Sequence, residues 1–245
     1  MLSYNFTEQL GRKTIVTGHY GSGKTEFSVS LSLFLSNQQK ICQENHPHDT
    51  FDSIAIIDLD VINPYFRSRE QRELLQKSGI AVYGSAFDTE VTAELPALSA
   101  NLRAPLENKS CRVIIDTGGN DAGAVVLNQF TKYFTDDDTT VIAVINANRP
   151  DTNSVESAIE HITAIEHITN LKISAVVNNT HMLRKTTVTD IIDGHKFCEK
   201  ICEITGKSIF CDSYPEGIVD PDEFKGVLKN LMPLGLYMRP TWLDK

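Results

Sequence analysis

Gly18-His19-Tyr20-Gly21-Ser22-Gly23-Lys24-Thr25 constrains what this chain can fold into more than any other stretch. It fits the spacing G-x-x-x-x-G-K-[ST] at every fixed position, and the spacing has a mechanical basis. Glycines let the backbone curl until successive amide N–H groups point into one concavity, which favours an anion with several oxygens. In such a loop Lys24 reaches the β- and γ-phosphates and Thr25 offers its hydroxyl to Mg²⁺. Gly18, His19, Tyr20, Gly21, Ser22, Gly23, Lys24, Thr25 and the adjoining Glu26 form the candidate nucleotide-contacting set.

The surroundings agree with the motif. Thr14-Ile15-Val16-Thr17 is a short β-branched run that reads as a buried strand, and Phe27, Leu31, Phe34 and Leu35 then recur at helical spacing. A helix placed there turns the positive end of its dipole toward the bound anion.

The rest of the chain repeats this alternation. Strand-like runs lie at 54–57, 113–115, 141–145 and 173–177, with weaker ones near 80–82 and 208–210. They are short, continuous and β-branched, as in parallel strands buried on both faces. Between them run helical stripes. The clearest is Val155, Ala158, Ile159, Ile162 and Ile165, with Glu156, Glu160, His161 and His167 on the wet face. A second, Val91, Leu95, Leu98 and Leu102, is interrupted by Pro96.

The alternation predicts a three-layer, doubly wound α/β fold with a mostly parallel sheet, and ligands at the carboxyl ends of its strands. With no internal repeat and no composition break, the 245 residues read as one domain, 1–245. Residues 42–52 read as a polar surface loop. The proline-rich stretch from Tyr214 reads as loops around one short helix near 223–231.

Bulk properties exclude some functions. A net charge of −9 argues against general nucleic-acid binding, which needs a basic footprint. No apolar run approaches the ~18–20 residues of a membrane span, and the start of the chain lacks the pattern of a signal peptide. A cytoplasmic protein is expected, and the five cysteines are then free thiols by default.

Two segments put acids where a nucleotide enzyme needs them. Asp58 and Asp60 follow one buried strand, and Asp116 ends another, followed by Gly119 in D-x-x-G. A carboxylate there can hold Mg²⁺ through water, and a glycine three residues on can bring its N–H to the γ-phosphate. Asp58 either supports the metal or orients the loop. The plainer alternative is that such aspartates cap the next helix.

With these segments in order, the chain resembles the MinD/ParA-type P-loop ATPases, a group that includes nitrogenase iron protein and CooC-like metal-centre maturation ATPases. The matching stretches are Gly18–Thr25, Asp58-Leu59-Asp60, Asp116–Gly119 and Val176-Val177-Asn178-Asn179. The resemblance implies that Asp60 orients the attacking water, Asp116 supports Mg²⁺, Asn178 bonds the base, and the loop at Tyr214-Pro215-Glu216 lies against base or ribose. It further implies ATP and Mg²⁺ as ligands, a protein partner, and a homodimer formed around nucleotide.

One departure stands out. The family usually carries a second lysine after the first glycine, and here His19 holds that place; an imidazole, unlike an ammonium, is no permanent cation. GTPases of the HypB and UreG kind also lack that lysine. The N-K-x-D signature for guanine is absent at Asn178-Asn179-Thr180-His181, which favours ATP over GTP. A small-molecule kinase or ATP-dependent ligase resembling dethiobiotin synthetase stays open, as does a GTP-using metallochaperone or a nucleotide binder without turnover.

Weaker signals have plainer readings. His195, Cys198 and Cys202, with Cys211 beyond, are spaced like ligands but fall on an apolar helical stripe with Val188, Ile191 and Ile192, where free cysteine packs as a small hydrophobe. Gly194 would interrupt that helix. His46 and His48, with Asp49 and Asp52, could bind a metal, although a solvated loop suffices. Arg67, Arg69 and Arg72 could act on a neighbouring subunit's nucleotide or pair with Glu70 and Glu73. Asn148-Arg149-Pro150-Asp151 falls on the ligand edge, with Asp151 or Thr152 as a helix cap.

Overall fold

The computed structural model describes residues 5–45, 51–60, 71–84, 102–119, 121–134 and 137–238. The strands are β1 (Lys13–Gly18), β2 (Ser53–Asp58), β3 (Ile80–Gly84), β4 (Cys111–Asp116), β5 (Thr139–Ile145), β6 (Ala175–Asn178), β7 (Ser208–Pro215) and β8 (Leu231–Leu234). The helices are α1 (Lys24–Asn45), α2 (Arg72–Lys77), α3 (102–107), α4 (Asp121–Asn128), α5 (Val155–Thr169) and α6 (Val188–Thr205). All eight strands are parallel and form one sheet in the order β3-β2-β4-β1-β5-β6-β7-β8. The chain therefore has the three-layer α/β architecture expected from its alternating pattern.

Strand residues alternate between two apolar layers. On one face Ile15, Ile57, Ile115 and Ile145 pack with Leu102 and Leu106 of α3, Ala158, Ile162 and Ile165 of α5, and Cys198 and Ile201 of α6. On the other, Val16, Ile56, Ile114, Ile142 and Val177 pack with Phe27, Leu31 and Leu35 of α1 and Leu75 of α2. The central strands thus have no wet face, which explains why they read as unbroken β-branched runs.

Helix starts follow side-chain chemistry. Ser154 caps α5 and Thr187 caps α6, each in a reciprocal capping box, so that neither Asp151 nor Thr152 is the cap. The latter two lie in the preceding 3₁₀ turn, Pro150–Thr152. Both helices end on a left-handed residue, Asn170 and Gly206.

Four expectations change. Residues 42–45, assigned to a loop, continue α1. Gly194 does not break α6; a Cβ there would collide with Asn178 Oδ1 and with Thr180, so the glycine lets the helix close on the end of β6. His161 is half-buried, with its ring edge-on to His19 at 4.9 Å between centroids. In place of a helix near 223–231 there is a 3₁₀ turn (Pro221–Phe224) and then β8, whose Pro233 is tolerated because β8 is an edge strand. Of the stripe at 91–102 only Leu102 lies within the described residues, where it is buried.

Gly194→Ala is expected to destabilise the protein by about 1–3 kcal/mol through overpacking, read as a lower urea midpoint with an unchanged slope. An unchanged midpoint would mean that α6 does not press on β6.

Candidate functional site

β1 feeds straight into the glycine loop, and α1 begins at Lys24. Gly18 (φ 140°) and Gly23 (φ 89°) adopt backbone that side-chain-bearing residues rarely take. A Cβ at either would also strike a neighbour, Val144 O at Gly18 and Asn179 Nδ2 at Gly23. The loop is closed by Ser22 N–H donating to His19 O (3.1 Å) and Phe27 N–H to Gly23 O (2.9 Å). Lys24 Nζ donates to His19 O at 3.0 Å.

The acids stand beside this loop because adjacent parallel strands end together. Asp58 and Asp116 face each other in register across β2 and β4. Asp58 Oδ1 accepts the Asp60 N–H at 3.0 Å, so the short segment after β2 is a fixed turn. Asp58, Asp60 and Asp116 are 1%, 5% and 0% exposed, and Lys24 is 6% exposed. Burial, reinforced by the charge of Asp58, pushes the Asp116 carboxyl up to about 8, while Lys24 and the Thr25 hydroxyl act against the rise. Burial lowers the Lys24 pKa, opposed by Asp116 and Asp60. Among the described residues Lys24 is the cation set against Asp116 and Asp60.

Asp116 Oδ1 accepts from Ser28 Oγ at 3.2 Å, whereas its Oδ2 makes no hydrogen bond of ordinary length among the described residues. Gly119 closes the other wall: a Cβ there would collide with Lys24 Nζ and stand 2.8 Å from both Gly18 O and Tyr20 N. A divalent cation fits this chemistry, since the orphaned Asp116 oxygen and the Thr25 hydroxyl are oxygen donors with charge to neutralise. Among the described residues no three His, Cys, Asp or Glu side chains group as a metal cage.

On the far side of the loop the two asparagines divide their work. Asn178 Nδ2 donates to Ile191 O (2.9 Å) and Asp212 Oδ1 (2.8 Å), and its Oδ1 accepts the Thr180 N–H, so this fully buried amide is spent inside the protein. Asn179, which the sequence reading passed over, donates to Ser22 O at 2.7 Å and accepts from Ser213 Oγ, tying β6 and β7 to the phosphate loop. His181 follows, its Nδ1 accepting the Leu183 N–H at 3.1 Å. Burial, with the positive charge of Arg149, drives the His181 pKa down to about 4. The signal for Asn179 was its place one residue beyond Asn178, which turns its side chain the opposite way.

Glu26 does not turn to the loop. Its carboxylate accepts the backbone N–H groups of Tyr237 (2.7 Å) and Met238 (3.0 Å), and burial pushes its pKa up to about 7. Pro215 is buried at the end of β7, its carbonyl accepting the N–H groups of Ile218 and Val219. His19 lies 3.7 Å from Asp151 and bonds its own loop at Tyr20 O.

Cys198 and Cys211 are core residues, and His195 is hydrogen-bonded to Asp212 at 2.9 Å. Arg72 donates to Val82 O. His46, His48, Asp49, Arg67, Arg69 and Glu70 lie outside the described residues.

Asp116→Asn removes a buried carboxyl whose ionisation is opposed by burial and by the charge of Asp58. It is expected to raise the stability of the nucleotide-free protein, on the order of 1–3 kcal/mol, while weakening Mg²⁺-dependent nucleotide binding; urea titration with and without Mg-ATP reads both. His195 has a raised pKa, from its hydrogen bond to Asp212 ahead of the opposing burial, with Glu199 adding to the rise. A raised histidine pKa stabilises fully below the unfolded value of ~6.5 and is lost as pH rises through the folded value. The stability lost in His195→Gln is therefore expected to be larger at about pH 6 than at about pH 9; a gap that widens with pH would contradict this.

No family model and no curated protein sequence matches this chain. Among solved structures it is similar to FtsY from Mycoplasma mycoides (15% identity, TM-score 0.53, covering 85% of this chain and 61% of that one). It is also similar to the cell division protein FtsY from Thermotoga maritima (16%, 0.50, 80% and 59%). A nucleotide-binding protein in complex with ADP from Archaeoglobus fulgidus aligns with a TM-score of 0.46 at 13% identity, covering 90% of this chain and 87% of that one. The chain thus spans about 60% of the length of either FtsY. At these identities the likeness is one of fold, and the fold is the α/β fold of P-loop nucleoside triphosphatases.

Proposed function

We propose that this chain is a Mg²⁺-dependent ATPase that acts as a switch for a protein partner, with residues 1–245 forming one nucleotide-binding domain. The observation that carries the reading is the meeting of the glycine loop, Lys24 and three buried aspartates at the carboxyl edge of one sheet. Lys24 and the loop amides take up the negative charge of the phosphates. Thr25 and Asp116 would hold Mg²⁺, which would neutralise phosphate oxygens when bound. Asp60, on the fixed turn after β2, orients the attacking water. Gly119 packs against the Tyr20 N–H and Lys24, so a terminal phosphate that claims those donors moves the segment 117–119, and the partner reads that movement.

Adenine is favoured over guanine by the surroundings of Asn178. Guanine selection calls for a carboxylate acceptor near the base. Asp212, in register with Asn178, is 2% exposed and committed to His195 and Asn178. The resemblance to maturation ATPases supports a metalloenzyme as that partner.

The test is solution mass by light scattering on Asp60→Ala protein with Mg-ATP, Mg-ADP or no nucleotide. A dimer formed with Mg-ATP alone supports the switch. A mass indifferent to nucleotide removes it in favour of a kinase-like enzyme acting on a metabolite.

A further inference from the structure

The loop that follows β5 places a cation against the phosphate loop. A Cβ on Gly21 would stand 3.7 Å from Arg149 Nε and 3.8 Å from Arg149 Cζ, so the guanidinium lies over the loop's tip. The backbone beneath it is rigid. Asn146 O accepts the Arg149 N–H (3.1 Å) and the Thr152 hydroxyl (2.9 Å), Arg149 O accepts the Thr152 N–H (3.0 Å), and Pro150 follows. Asn146 Oδ1 fixes the Asn148 N–H, and Thr180 Oγ1 fixes the Ala147 N–H. The side chain is exposed.

Its placement distinguishes it from Lys24. The acids, Gly119 and Lys24 occupy the β2/β4 side of the loop. Arg149 and His181 occupy the β5/β6 side, against Gly21 and Gly23 respectively. His181, held neutral, adds no charge there. A triphosphate whose terminal group met the acids would leave its inner phosphates on the wall that carries Arg149.

We propose that Arg149 is a diphosphate-binding residue, its guanidinium closing over the tip of the phosphate loop to bond the inner phosphates that ADP and ATP share. This rests on the nucleotide-binding reading above. A planar fork with five donors and a permanent charge suits paired phosphate oxygens.

The test is equilibrium binding of Mg-ATP and Mg-ADP to the wild-type protein and to Arg149→Gln, Arg149→Lys and Lys24→Ala. Arg149→Gln is expected to weaken both nucleotides alike, by about tenfold, and Arg149→Lys is expected to restore part of the loss. Because the side chain is exposed, the unfolding midpoint of Arg149→Gln should match wild type. Weakening of Mg-ATP alone would assign Arg149 to the terminal phosphate and overturn the inference. No change for either nucleotide while Lys24→Ala abolishes binding would overturn the inference and leave the nucleotide reading intact. Normal binding by Lys24→Ala would overturn the nucleotide reading itself.

Discussion

The burial of Lys24 between Asp60 and Asp116 is the interaction on which the ligand edge depends. Three strands, β2, β4 and β1, stop at nearly the same level, so that their terminal groups meet in a buried cluster. Acids held this close and this buried resist ionising together, and the Lys24 ammonium opposes only part of the rise at Asp116. The cluster persists because the sheet beneath it is packed on both faces and leaves the strand ends no alternative course. Stability bound up in such a site is commonly given over to function, since relieving the strain needs a cation and an anion brought together.

The phosphate loop is supported from below as well as from the side. Asn179 joins Ser22 to Ser213, and Asn178 joins Asp212 to α6, so β6 and β7 carry a polar framework that reaches from the surface of α6 to the floor of the loop. Gly194 is part of this framework, because its missing side chain lets α6 approach Asn178 and Thr180. Networks of this kind hold a loop in one conformation when every member is satisfied.

The fold was legible because its signals were local and repeated. Buried parallel strands announce themselves as β-branched runs, whereas the start of α5 was misplaced, since Ser154 and not Asp151 or Thr152 is its cap. β8 was not legible: a four-residue edge strand containing Pro233 has no periodicity to detect, and only its neighbour β7 makes it a strand. In the site, the motif located the loop and the strand-end aspartates. It could not say which way Glu26 turns, because the amides of Tyr237 and Met238 that claim it are more than two hundred residues away in sequence. The same limit applied to Asn179 and Arg149, whose contacts depend on how neighbouring strands are aligned.

The hold of Glu26 on the segment after β8 has a mechanical consequence. One carboxylate at the first turn of α1 grips two successive backbone amides, and Ser30, one turn further on, accepts the Gly235 N–H. The start of α1 is thus stapled to the far rim of the sheet at two points along its axis. A helix fixed twice cannot roll or slide without carrying its fastenings with it, so a tug on the chain beyond β8 would be delivered to Lys24 and Thr25 as torque.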